Sequence, residues 1–464
     1  MRTRFVNLRI PAGDNDTRPA EIVVEDGRFA EILDAGSETA AGDERWVNLR
    51  GGLVLPGAID GHVHFDDPGY THREDFASGT AAAAAGGVTC VVDMPCTSIP
   101  PVVDADSLAA KVRAIQPKAH VDFMLWGGVS GNAMERADWR DRLEDLAAAG
   151  VAAVKVYCLS GMDSFTALDY EQLTAVMEAA AELAVPVGVH AEDAVIVREL
   201  TREIRAAGGD GPADYAASRP VLAEVAAVRA VVGACRATGA RAHVVHLSSA
   251  AAVEVIADAR RDGVPVSAET CPHFLHFTLD DLVGRGSILK TAPVVKSAAD
   301  RDRLWQAAAD GDIDFVATDH APAQWPEEKS TGSIWTDYGG VPGVETLLPY
   351  LYSEGVVAGR LTLERLVELT SARPARLFGI DHRKGGLWEG LDADFAVLDP
   401  EARWTVRASE LHSLNRSTPF DGLELTGRVR ATYVRGRAVF ERDAEGSELF
   451  APAGHGRWIL RGAP

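Results

Sequence analysis

The sequence is short of cysteine. Its five, Cys90, Cys96, Cys158, Cys235 and Cys271, are scattered, with neither the paired spacing of a zinc site nor a disulfide framework. That pattern predicts reduced thiols in a cytoplasmic protein. No apolar run approaches the roughly 18 residues that a membrane-spanning helix needs. Met1 to Ile10 alternates charged and apolar residues where a signal peptide would carry an apolar core. Basic charge is scarce as well: 46 Lys and Arg stand against 68 Asp and Glu, a formal net charge of −22. A nucleic-acid partner would demand a basic stripe, and none is visible. Neither nucleic acid nor membrane is therefore an expected partner. What the chain has in plenty is apolar residues, 47% of 464, enough for the core of a large α/β barrel.

Residues 1–52 read as short strands and turns: Glu21-Ile22-Val23-Val24, then Glu25-Asp26-Gly27, then Phe29 to Leu33. From Leu53 the texture changes to β-rich runs alternating with Ala-rich helical stretches. Predicted strands are Val54–Asp60, Val88–Met94, Val121–Trp126, Val151–Tyr157, Val185–His190, Ala242–Leu247, Val264–Thr270 and Asp314–Thr318. Helical patterns between them include Glu74–Ala85, Arg140–Ala149, Tyr170–Leu183, Val221–Thr238 and Ala250–Asp262. Strict alternation of this kind predicts a parallel (β/α)₈ TIM barrel over residues 53–375. After it the strand texture returns, with Ala393 to Leu398 and a hairpin around Arg435-Gly436. Residues 1–52 and 376–464 are expected to share one small β-sandwich-like domain, closed by a flexible tail.

In such a barrel the chemistry gathers at the carboxyl ends of the strands. The first strand ends in Asp60-Gly61-His62-Val63-His64, and alternation puts both imidazoles on one side. Alone, the pair is equally well a metal half-site or two hydrogen-bonded histidines at a sheet edge. The other strand ends supply Lys155, His190, His246 and Asp319. His190 and His246, each after a β-branched run, would singly pass for satisfied core histidines. Lys155 lies inside Val151-Ala152-Ala153-Val154-Lys155-Val156-Tyr157, where an unpaired ammonium is costly. It either snorkels to water or loses its proton and takes up CO₂ as a carbamate that could bridge two metals. Asp319 is either a helix N-cap or a metal ligand that accepts a proton. His243 and His273 are read as packing or supporting residues, and His320, which alternation points away, stays unassigned.

These motifs resemble the amidohydrolase superfamily in its cyclic-amide branch of dihydroorotases, hydantoinases, dihydropyrimidinases and allantoinases. The carriers are Pro56-Gly57 through Pro68-Gly69, Ala84 to Thr89, Asp93-Met94-Pro95, Lys155, His190-Ala191-Glu192, His246-Leu247-Ser248-Ser249, Glu269 to His273 and Thr318 to Pro322. The resemblance implies two divalent metals, zinc first, with cobalt, manganese or iron as alternatives. His62, His64 and Asp319 would hold one and His190 with His246 the other, with Lys155 as the N6-carboxylysine bridge and Asp319 as the proton shuttle. It further implies a homo-oligomer, a tetramer or dimer. Dihydroorotases usually place Arg and Asn where this chain has Asp66 and Cys96, and dihydropyrimidinases a Tyr where it has Ser160. The stretches Asp67 to Phe76 and Met94 to Pro101 are most similar to allantoinases, which implies opening of allantoin to allantoate in purine catabolism. An L-hydantoinase or related cyclic-ureide hydrolase is the alternative, and a barrel kept only as a scaffold is the non-enzyme one. Ser160, Thr291 and Gly340 are the expected substrate-binding residues.

Overall fold

The computed structural model describes residues 2–37 and 44–462. Eight parallel strands line the barrel: Ala58–Val63, Val88–Asp93, Asp122–Leu125 with its continuation Gly127–Gly128, Val154–Tyr157, Val187–His190, Ala242–Val244, Val266–Thr270 and Phe315–Val316. Closure comes where the last strand meets the first. Val63 bridges His320, and the His64 N–H donates to the His320 carbonyl at 2.7 Å. The strands are buried on both faces, since helices wrap the outside and side chains fill the inside, so they read as unbroken apolar runs.

The helices begin where the sequence offers acceptors for their first N–H groups. Asp75 caps Phe76–Ala85 and Asp169 caps Tyr170–Glu182, each in a reciprocal capping box. Ser249 caps Ala250–Arg261. These caps fix the strand-to-helix turns that carry the mouth of the barrel.

Both termini build a second, eight-stranded sheet. Arg2–Pro11 lies between Thr17–Glu25 and Arg45–Pro56, and Phe395–Thr405 pairs with Arg45–Pro56 from the other side. The predicted strand Val54–Asp60 is in fact two elements. Leu53–Pro56 pairs with Phe395–Leu398 in the terminal sheet, and the barrel strand starts at Ala58. The break falls at Pro56, which has no N–H to continue a ladder, and at Gly57, where a Cβ would come within 2.1 Å of Thr89 Oγ1. Where a flexible tail was expected, residues 457–459 are bound to the third barrel strand. Phe123 N–H donates to the Arg457 carbonyl at 2.9 Å, Ile459 N–H returns to the Phe123 carbonyl at 2.8 Å, and Ile459 is buried.

A buried charge cluster joins these parts at the base of the barrel. Lys384 Nζ lies 2.8 Å from Asp122 Oδ2 and 3.7 Å from Asp392 Oδ2, and it also pairs with Asp394. Arg435 pairs with Asp122 from the other side, and the Arg457 N–H donates to the same carboxylate at 2.8 Å. The three aspartates are close enough to hold a metal, but Lys384 already occupies that place. Removing one member of a buried ionic network leaves uncompensated charge, so Lys384→Met should lower the free energy of unfolding by about 3–5 kcal/mol. Urea unfolding followed by tryptophan fluorescence checks this; an unchanged midpoint would show that the cluster holds nothing together.

Candidate active site

Six side chains named from the sequence meet at the mouth. His62 and His64 project from the end of the first barrel strand, and their Nε2 atoms lie 3.1 and 3.2 Å from the same oxygen, Asp319 Oδ1. Each ring is held from behind. His62 Nδ1 meets Glu269 Oε1 at 2.5 Å, and His64 Nδ1 lies 3.3 Å from Thr97 Oγ1. Across the mouth, His190 Nδ1 and His246 Nε2 face each other at 3.0 Å, and His190 Nε2 is bound to Glu192 Oε2 at 3.0 Å. The His62 and His246 rings are 5.4 Å apart, which joins the two pairs into one cluster.

Lys155 lies within electrostatic reach of Asp319, His190 and His246. Its Nζ is fully buried, has no hydrogen-bond partner, and sits 4.8 Å over the Tyr157 ring. Burial draws its pKa down to about 8. Burial also opposes the charge on Glu269, but the donors His62 and His243 outweigh it and hold that carboxyl down to about 2. His62 Nε2 is likewise buried, facing Asp319 Oδ1. Two imidazole nitrogens on one carboxylate oxygen, an unpartnered amine and a pair of facing nitrogens make a donor set suited to cations. His62, His64 and Asp319 are mutually close enough to share one ion.

The backbone is bent to make this arrangement. Asp66, His246 and Asp319 take φ of 49°, 41° and 49°, in the left-handed region. Such conformations cost on the order of 1–3 kcal/mol each and persist where surrounding contacts enforce them. At Asp319 the enforcing contacts are visible. Thr318 N–H donates to Asp60 Oδ1 at 3.0 Å on one side of it. On the other, His320 Nδ1 accepts from the Gly343 and Val344 N–H groups at 3.0 and 3.2 Å, and its Nε2 donates to Glu74 Oε2 at 3.3 Å. Glu74 in turn accepts from the Leu414 N–H at 3.1 Å, so a segment of the terminal domain reaches the mouth.

The expected substrate residues fare differently. Gly340 lines the cavity, and a Cβ there would lie 2.5 Å from the Ala321 carbonyl oxygen, so a side chain is excluded. Ser160 also lines it, but its hydroxyl is engaged within its own loop, donating to the Phe165 carbonyl at 2.7 Å and accepting from the Met162 N–H at 3.1 Å. Thr291 is buried behind the wall, with its Oγ1 unpartnered and its carbonyl accepting from Tyr215. Asp66 is buried too, not among the lining residues, and burial raises its carboxyl to about 7. His243 turns to Glu269 at 3.1 Å and stacks on Phe315, in the supporting place read for it. No role is read from the sequence for Glu269 itself, Tyr157, Arg219 or Lys290, although Glu269 stands among the motif residues. Glu269 had a usable signal: a carboxylate in a buried strand raises the same question as Lys155.

Buried histidine pairs, a buried lysine and a strand-end aspartate at the mouth of a (β/α)₈ barrel define a class, the metal-dependent barrel hydrolases. The chain belongs to the amidohydrolase family, whose profile matches residues 53–439. Among its curated relatives is an allantoinase of Rubrobacter xylanophilus, 40% identical over 436 residues that cover 94% of this chain and 93% of the relative. An L-hydantoinase of Paenarthrobacter aurescens is 36% identical over 459 residues, 98% of this chain and 97% of its own. The solved structure of the L-hydantoinase (dihydropyrimidinase) from Arthrobacter aurescens superposes with a TM-score of 0.92 at 34% identity, covering 99% of both chains. No helix among the described residues is long and apolar enough to cross a membrane.

Proposed function

We propose that the chain hydrolyses a cyclic ureide, opening allantoin to allantoate, with two divalent cations at the barrel mouth. The observation that carries this reading is the Lys155 amine, buried and unpartnered within electrostatic reach of Asp319, His190 and His246. His62, His64 and Asp319 would hold one ion and His190 with His246 the other, and Lys155, carboxylated by CO₂, would span them. Zinc is the first expectation, with cobalt, manganese or iron as alternatives. Bound there, the ions supply Lewis acidity toward a ring carbonyl and lower the pKa of water toward ~7.

The chain's own groups do the rest. Asp319 lies against both His62 and His64 and is placed to take a proton from attacking water and pass it to the leaving ring nitrogen. Water adds across the C–N bond: its hydroxyl goes to the carbonyl carbon, giving a carboxylic acid that ionises by releasing a proton to solvent, and its other hydrogen goes to the ring nitrogen. Tyr157 stacks on His190 with ring centroids 5.1 Å apart, and burial keeps its phenol protonated, a neutral donor at the cavity wall. Glu269 orients His62 and His243. Glu269→Gln removes the anionic acceptor, and retention of metal against a chelator should fall by about 10–100-fold. Wild-type retention in that variant would take Glu269 out of the site.

An L-hydantoinase activity is the second reading, supported by the relative and the solved structure of that name. The test is a panel of allantoin, hydantoins, dihydrouracil and dihydroorotate with metal-reconstituted protein. Allantoin should give the highest kcat/KM. Fast turnover of dihydroorotate would overturn the argument from Asp66 and Cys96.

A further inference from the structure

His320 follows Asp319 directly and is held from two sides. Its Nδ1 accepts from the Gly343 and Val344 N–H groups, and its Nε2 donates to Glu74, which accepts in turn from the Leu414 N–H. The His320 carbonyl also takes the His64 N–H at 2.7 Å. This one residue therefore fixes the backbone beside both Asp319 and His64.

Both supports lead to His412. On the first side, Glu345 follows Val344 in the short helical turn Val344–Thr346. Its carboxylate receives the His412 N–H at 2.8 Å and His412 Nδ1 at 3.0 Å. On the second side, Leu414 stands two residues beyond His412 in a segment without helix or strand. The other ring nitrogen, Nε2, lies 2.9 Å from Glu448 Oε2, on the strand Glu448–Phe450 at the edge of the terminal sheet. A neutral imidazole carries one N–H and donates to one of these carboxylates, whereas the imidazolium donates to both.

The surroundings favour the charged ring. Glu345 faces it from the barrel and Glu448 from the terminal sheet, and the Phe440 and Phe450 rings lie 6.3 and 4.9 Å away. Glu448 is shared with Arg442 at 2.6 Å, and Arg428 is within electrostatic reach of Glu345, Glu448 and Arg442. Burial opposes a charge on His412, but the two carboxylates outweigh it and raise its pKa above the ordinary imidazole value. With 18% of its side chain exposed, the ring can still exchange its proton with solvent.

We propose that protonated His412 is a positioning residue for Asp319: by gripping Glu345 and Glu448 together, it holds the 343–346 turn and the 411–415 segment against His320. The inference rests on the reading of Asp319 as the proton carrier. Because the folded chain binds this proton more tightly than the unfolded one, the grip is complete below the ordinary value of 6.5. It fades as pH rises through the higher value of the folded protein, when one of the two carboxylates is released. Misplacing a proton carrier affects the reacting step, so kcat should move and KM should not.

The experiment compares wild type, His412→Gln, His412→Arg and Glu448→Gln, matched for metal content, from about pH 6 to about pH 9. It reads kcat on the best ring of the panel, and hydrogen–deuterium exchange in segments 317–322 and 343–346. Near pH 6, His412→Gln should lower kcat by about tenfold and quicken exchange in both segments by a similar factor. Near pH 9 the wild type should come down to meet it. His412→Arg keeps the charge and should resist that decline, and Glu448→Gln should move it down by about one pH unit. Losses in His412→Gln that are equal at every pH, unchanged exchange in both segments, or a decline unmoved in Glu448→Gln would overturn the proposal and leave the ureide reading standing. If wild type opens no ring, that reading fails, and exchange alone decides the grip. Protection lost in His412→Gln near pH 6 but not near pH 9 supports it; equal protection overturns it.

Discussion

Lys155→Ala should purify without its full complement of metal and lose activity by roughly 10³-fold, the scale seen when one fixed electrostatic partner of a transition state is removed. The expectation follows from the only charged side chain in its strand, buried without a partner within electrostatic reach of His190, His246 and Asp319. A truncated side chain leaves two histidine pairs with no anion between them. Short carboxylic acids such as acetate are expected to enter the vacated space and restore part of the metal content and part of the turnover. Elemental analysis reads the first and ring opening the second. A variant with full metal and full activity would dispose of the bridging role and return Lys155 to a packing residue.

Asp319→Asn should cost about 10²–10⁴-fold in turnover, the usual range for a positioned proton carrier. The amide keeps the size of the carboxylate and an oxygen for His62 and His64, so the left-handed turn at this position is expected to survive. What it loses is the ability to accept a proton and the negative charge between two imidazoles. Single-turnover kinetics on protein matched to wild type for metal content separates the proton role from the ligand role. A loss confined to metal binding, with normal turnover once loaded, would leave Asp319 a ligand and nothing more.

Much of this was legible in the chain. Alternation along buried strands put His62 with His64 on one side and set His243 apart from His246, and the structure shows each in that relation. The barrel was legible because βα alternation is a local pattern repeated many times. What sequence alone could not show depends on loop shape or on contacts distant along the chain. Ser160 sat at a telling offset from Lys155, yet its hydroxyl is taken by the Phe165 carbonyl, a matter of loop shape. Leu53–Pro56 read as the start of a barrel strand because its apolar run looks the same whichever sheet it joins. The partner that decides the matter, Phe395–Leu398, lies more than 300 residues on.

The contact from Leu414 to Glu74, and from there to His320, has a consequence for how the protein comes into being. Synthesis delivers all eight barrel strands long before residues 411–415 and 457–459 leave the ribosome. Until they do, Glu74 lacks the Leu414 N–H and Phe123 lacks the Arg457 and Ile459 partners that complete the third strand. A nascent barrel can therefore collapse around its apolar interior with the loop bearing Asp319 still loosely held. Competence to bind metal should arrive late, with the last tenth of the chain, and a stop codon placed just before Leu411 should yield a chain that loads metal poorly although every ligand has been translated.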